Sequence, residues 1–166
     1  MVALNHFNQL TDTDAERLIA PCVAISSWVS SLIQARPYAH LSALMACAQE
    51  SMQGWGEDEL VQALSAHPRI GDRPTGEQAH AVLSRQEQST VNAEDLQLAE
   101  ALKAGNARYE ARFGRIFLVR AKGRSGDEIL QQLNLRLEHS EAEEIQAALE
   151  QLREITLLRL AGVITE

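Results

Sequence analysis

The sequence predicts an all-α, single-domain bundle of about eight helices over residues 1–166, with one short extended segment near 116–121. Three observations predict it. Nearly every apolar run recurs at three- and four-residue spacing, as one face of a helix requires, rather than in alternation. Ser125 and Ser140 each have a glutamate three residues on, Glu128 and Glu143, the reciprocal cap that opens a helix. The only strand-like run, Ile116-Phe117-Leu118-Val119 between Gly114 and Gly123, has no second run to pair with, and a lone extended segment is not a sheet. At 166 residues the chain is long enough to bury a core without disulfide or metal staples.

The elements follow in order. Asp12 or Thr13 caps the first helix, with Glu16 three residues after Thr13. Pro21 suits the first turn of a second, which runs through Trp28 to about Ala35. A third runs from about Ala39 to Ser51 and ends before Gly54; a fourth runs from Glu57 to Ala66. Leu60 and Leu64 lie seven and four residues before His67, so the imidazole projects from their apolar face. Pro68 then excludes His67 from the α region and stops the helix. After the stretch His67-Pro68-Arg69-Ile70-Gly71-Asp72-Arg73 comes a fifth helix, roughly Glu77 to Val91, and then a long one from about Ala93 to Phe113. The two capping boxes open the last two, roughly 126–138 and 141–161.

Composition narrows the function. A formal net charge of −8 opposes nucleic acid as a partner, because phosphate binding needs a basic surface. Arginine outnumbers lysine thirteen to two, which suits forked recognition of carboxylates and amides but equally reflects a GC-rich genome. Cys22 and Cys47 sit in separate apolar patterns, and no Cys or His lies at ligand spacing to another, so neither a disulfide framework nor a metal site is expected. No apolar run reaches the length of a membrane span. The amino terminus has no signal-peptide pattern, and Val163-Ile164-Thr165-Glu166 is no peroxisomal address; the expected location is the cytoplasm.

Polar side chains interrupt the apolar faces at a few positions. His67, held at a helix end by a proline, is either a core histidine satisfied by a carbonyl or a placed proton-transfer group. On the helix that follows, Ser84, Glu87 and Gln88 share a side that is either a solvated face or a polar quadrant of the interior. Arg159 lies within the stripe Ile145, Leu149, Leu152, Ile155 and Val163, so it either pairs with a carboxylate on another helix or faces a cavity holding a polar ligand. Asn106, in the stripe Leu98, Leu102, Tyr109 and Phe113, reads as a structural group satisfying backbone at a helix crossing. The backbone of Phe117, Leu118, Val119, Arg120 and Ala121 has no ladder to join, yet buried N–H and C=O groups need partners.

These pieces resemble the family of 2-oxo-4-hydroxy-4-carboxy-5-ureidoimidazoline (OHCU) decarboxylases, which carry out the last of three steps from urate to (S)-allantoin. The matching pieces are His67-Pro68-Arg69-Ile70-Gly71, Ser84-Arg85-Gln86-Glu87-Gln88, the run from Asn106 to Ser125, and Leu158-Arg159-Leu160, in the family's order. They cover about the last hundred residues, whereas the earlier part matches mainly in helical pattern and length. The resemblance implies a carboxy-lyase: an all-helical, cytoplasmic homodimer acting without metal or organic cofactor on a small ureidoimidazoline. It further implies that His67 is the catalytic histidine and Glu87 its acidic partner. Pro68, Ser84, Gln88, the backbone of Phe117 to Ala121, and Arg159 are then substrate contacts. Arg120 departs from the family's pattern, in which that position is often smaller or apolar, and an inward-pointing Arg120 would contradict the substrate assignment. A transient contact with the upstream hydroxyisourate hydrolase is part of the same expectation. The competing reading is a non-catalytic helical module that binds a purine-degradation intermediate; it needs the cavity and Arg159 but no paired acid and base.

Overall fold

The computed structural model describes residues 1–70, 83, 84, 86, 87 and 95–166. Among these residues it contains eight α-helices: α1 (Leu4–Gln9), α2 (Asp12–Ile19), α3 (Ser26–Gln34), α4 (Leu41–Glu50), α5 (Glu57–Leu64), α6 (Leu96–Phe113), α7 (Gly126–Arg136) and α8 (Glu141–Val163). A 3-10 turn at Ala20–Cys22 links α2 to α3. Leu83, Ser84, Gln86 and Glu87 are also helical, while the ends of the helix expected over 77–91 lie outside the described residues.

The two serine boxes form as expected: Ser125 Oγ and Ser140 Oγ accept from the backbone N–H of Glu128 and Glu143, each at 3.2 Å. The glutamates reach back to the N–H of Ser125 and Ser140. The start of α2 differs from the expectation. Thr11 is its cap, accepting from the Asp14 N–H at 3.1 Å, which puts Asp12 and Asp14 in the first turn, where the helix dipole favours carboxylates. Pro21 opens the 3-10 turn rather than a long helix, and α3 begins five residues later.

Three features arise from contacts distant in sequence. The six-residue α1 has no periodicity to announce it. It is held by Arg36, whose Nη1 donates to the carbonyls of Phe7 (2.7 Å) and Leu10 (2.8 Å) at its C-terminal end. The N-terminus of α4 is capped by Glu166, whose Oε2 accepts from the Leu41 N–H at 2.8 Å. Val2–Ala3 and Ile164–Thr165 pair as a two-residue parallel bridge, too short to show as alternation.

Two apolar clusters make the core. The larger joins α1 to α5 with the second half of α8; the smaller lies among α6, α7 and the segment after α6. That segment is the seam between them. Phe117, Val119 and Ala121 belong to the smaller cluster, whereas Leu118 belongs to the larger, the period-2 alternation of extended chain. At the crossing of α6 and α7, Gly105 lets the helices approach: a Cβ there would stand 2.4 Å from Leu133 Cδ2.

Candidate active site

The loop that carries His67 is fixed from two sides. Beyond the end of α5, the His67 N–H donates to the Leu64 carbonyl at 3.1 Å, continuing the chain in a tight turn. His67 and Pro68 are half-buried, with Ile70 buried beneath them. On α6, Asn106 Nδ2 donates to the Ile70 carbonyl at 2.9 Å, and one turn later Glu110 accepts from Arg69 Nε at 2.8 Å. Asn106 therefore has the structural role expected of it: its carboxamide completes the backbone of the loop that presents His67.

Of the alternatives left open by the sequence, Arg159 takes the first, pairing with a carboxylate. The pair borders cavities. Its Nε donates to Glu87 Oε1 at 2.5 Å and its Nη2 to Oε2 at 3.0 Å, the forked geometry that a guanidinium offers a carboxylate. Nη1 donates to the Pro21 carbonyl at 3.2 Å, and Nη2 also to Ser84 Oγ at 3.3 Å. With side-chain exposures of 4% for Arg159 and 17% for Glu87, these are charges withdrawn from water and balanced against each other. Beside them Cys22 is fully buried; desolvation pushes its thiol up to about 12, opposed by the Arg159 charge and reinforced by that of Glu87.

The Phe117–Ala121 segment brings its backbone to the same place. The Leu118 carbonyl accepts from Arg136 Nη1 at 2.5 Å, and the Arg120 N–H donates to Gln151 Oε1 at 2.9 Å. The Arg120 side chain turns to the Lys122 carbonyl (2.9 Å) and towards Glu154 (3.7 Å).

Three hollows meet around these groups. The smallest, about 20 Å³, is lined by His67, Pro68, Ile70, Ser84, Glu87, Phe117, Leu118, Val119, Ala121 and Ile155. That is room for about one water molecule. A hollow of about 260 Å³ lies against Glu87, Arg159, Arg120 and Ala121. Another of about 270 Å³ lies against His67, Arg159 and Pro21. Eight of the candidate site residues singled out in the sequence thus line one hollow, and Arg159 lines the two larger ones. Arg120 lines only the 260 Å³ hollow, and Gln88 lies outside the described residues. Sequence reading missed the residues that hold the segment from behind, Arg136 with Glu144 and Gln151. Each fits an ordinary helical pattern, and only burial of Arg136 (4% exposed) and Glu144 (0%) sets them apart.

No group of His, Cys, Asp and Glu among the described residues could hold a metal ion, and none of the described helices is long and apolar enough to cross a membrane.

Comparison with known proteins follows the same lines. The profile of the family described as OHCU decarboxylase matches residues 8–161. The 2-oxo-4-hydroxy-4-carboxy-5-ureidoimidazoline decarboxylase of Haloferax volcanii is 27% identical over 163 residues, 96% of this chain and 95% of its own length. The protein of that name from Amia calva is 32% identical over 149 residues, 87% of this chain and 81% of its own. A crystal structure of OHCU decarboxylase in the presence of (S)-allantoin aligns with a TM-score of 0.73 at 26% identity, over 89% of this chain and 96% of that one.

Proposed function

The chain belongs to the OHCU decarboxylase family, and from that premise we propose that it decarboxylates 2-oxo-4-hydroxy-4-carboxy-5-ureidoimidazoline to (S)-allantoin, the closing step of urate oxidation. The substrate carries a hydroxyl and a carboxylate on one ring carbon, next to a carbon double-bonded to nitrogen. When CO2 leaves, its bonding electrons form a carbon–carbon double bond and the C=N electrons move to nitrogen, which takes a proton. The resulting enol returns to a carbonyl by losing the hydroxyl proton and gaining one on carbon, and that last addition sets the hand of the product. The electron sink is in the substrate, so the chemistry calls for no borrowed one. What it asks of the protein is orientation, charge placement and proton delivery to one face.

The observation that carries this reading is the single hollow lined by His67, Ser84, Glu87 and, from the extended segment, Phe117, Leu118, Val119 and Ala121. His67 sits on a tethered loop, as a group moving protons between hydroxyl and carbon must. Glu87 is its acidic partner in this assignment. Arg159, already forked to Glu87, binds a substrate oxygen once that pair opens, and Ser84, Gln88 and the segment's backbone read the amide and ureido edges. A hollow of about 20 Å³ is far smaller than a small-molecule site. Admitting substrate therefore joins it to one of its neighbours across the Glu87–Arg159 pair. We further propose that the protein works as a cytoplasmic homodimer and makes a transient contact with hydroxyisourate hydrolase; its free thiols fit a reducing compartment.

The test uses freshly made urate oxidation product, with circular dichroism following the appearance of allantoin. The wild-type protein produces the (S) enantiomer faster than the spontaneous reaction. His67→Asn lowers turnover by about 10²–10⁴-fold, the worth of a placed acid–base group, with its helical signal unchanged. Racemic product at the spontaneous rate from the wild-type protein would leave a binding module as the better description.

A further inference from the structure

The middle of the segment Phe117–Ala121 is held from behind along one edge, and its end is turned by the Ala121 carbonyl, which accepts from the Arg124 N–H at 3.1 Å. In extended chain the N–H and C=O of one residue point to the same edge, and those of the next residue to the opposite edge. The Leu118 carbonyl and the Arg120 N–H therefore share an edge, and both are taken, by Arg136 of α7 and by Gln151 of α8. The backbone groups of Val119 face the other way, and Val119 lines the His67 hollow.

We propose that Arg136 and Gln151 are positioning residues: they clamp the even-numbered edge of 117–121 from behind and thereby aim the Val119 N–H and C=O at the substrate. The inference rests on the function proposed above and names the groups that set its backbone contact.

Arg136 is itself braced. Its Nε donates to Glu144 Oε1 at 2.7 Å and its Nη2 to the same oxygen, which also accepts from the Tyr109 hydroxyl at 2.5 Å. The other Glu144 oxygen lies 3.0 Å from His139 Nδ1, and the guanidinium stacks 4.5 Å from the centre of the Phe117 ring. A fully buried ion pair is rarely the most stable way to fill a core, since apolar residues of similar volume serve as well or better. What the pair adds is direction: with Nε and Nη2 held on Glu144, an Nη1 N–H of Arg136 is aimed at the Leu118 carbonyl. Gln151 is tied in turn by its Nε2 to Glu154 at 3.0 Å, which fixes the orientation of its accepting oxygen.

Backbone contacts to an amide edge are made equally in the ground state and the transition state, so misaiming them weakens binding without slowing chemistry. Gln151→Leu, which removes the acceptor at a half-buried position, raises KM about tenfold, the worth of one well-placed hydrogen bond, with kcat within about twofold. Its melting temperature stays within about 2 °C of wild type, as for a partly exposed substitution. Gln151→Glu alone sets a second carboxylate against Glu154, whereas Gln151→Glu with Glu154→Gln reverses the tie, keeps an oxygen for the Arg120 N–H and restores KM. Arg136→Lys keeps the charge opposite Glu144 but loses the fork, and moves KM in the same direction. If that buried change unfolds the protein, the Gln151 pair still decides. A KM for Gln151→Leu within twofold of wild type, or a raised KM that persists in Gln151→Glu/Glu154→Gln, overturns the clamp. An inactive wild-type protein, measured first, would instead overturn the function on which the clamp rests.

Discussion

Arg159→Met isolates the energetics at the centre of the site. The guanidinium makes four hydrogen bonds, two of them to Glu87 at 2.5 and 3.0 Å, one to the Pro21 carbonyl at 3.2 Å and one to Ser84 Oγ at 3.3 Å. Methionine fills much of the same volume and supplies none of them. Glu87 is left as a carboxylate with 17% of its side chain exposed and its cation gone. Breaking a buried pair in this way costs about 3–5 kcal/mol, and residual access to water places this case near 3. For a chain of this size that is a fall in Tm of about 6–12 °C. Arg159→Met/Glu87→Met removes both charges and should cost only about 1 kcal/mol, because an apolar pair of similar shape needs no counter-charge. The double variant is then more stable than Arg159→Met by about 2 kcal/mol, whereas at independent sites a second loss would only add to the first. Thermal and urea unfolding of the four proteins, followed at 222 nm, measures the difference. The reasoning fails if Arg159→Met melts within about 2 °C of wild type, or if the two single losses simply add in the double variant.

Further outcomes follow from other parts of the molecule. Gly105→Ala should destabilise by about 1–3 kcal/mol in denaturant titration although alanine is the better helix former, because the new Cβ collides with Leu133, which is itself fully buried. Native protein at neutral pH should react with a thiol reagent at Cys47 and not at Cys22, which is fully buried; equal labelling of both before unfolding would contradict the packing around Pro21. The same thiol gives a sign in base. Its folded pKa is raised, so its contribution is complete below the ordinary value of 9.0 and is lost as pH rises towards about 12, which Cys22→Ala should diminish. In acid the capping carboxylates act oppositely. Glu59 and Glu143 are held below the usual range by the backbone N–H groups of Gly56 and Ser140. Their stabilisation is present above the ordinary glutamate pKa and fades as pH falls through the lowered one, so Glu143→Gln should flatten the acid limb of a stability-versus-pH curve.

The helical class and most of its elements were legible because caps and apolar periodicity are local. The Ser125 and Ser140 boxes place α7 and α8 to within a residue of their starts. The elements that escaped are those made by distant partners: α1 closed by Arg36, and the amino end of α4 closed by Glu166. The candidate site divides in the same way. A histidine before a proline, and an arginine inside an apolar stripe, mark themselves as exceptions to a pattern. Arg136, Glu144 and Gln151 break no pattern, so nothing in their spacing tells which neighbour they serve.

By itself, then, the order of residues determined the helices, their caps and the few polar groups out of place. Only the folded chain decided that Glu87 and Arg159, 72 positions apart, form one buried pair beside the His67 hollow. The reason is physical. Hydrogen bonding within a helix reaches four residues along the chain, whereas the withdrawal of a charge from water is settled by whichever distant segment closes over it.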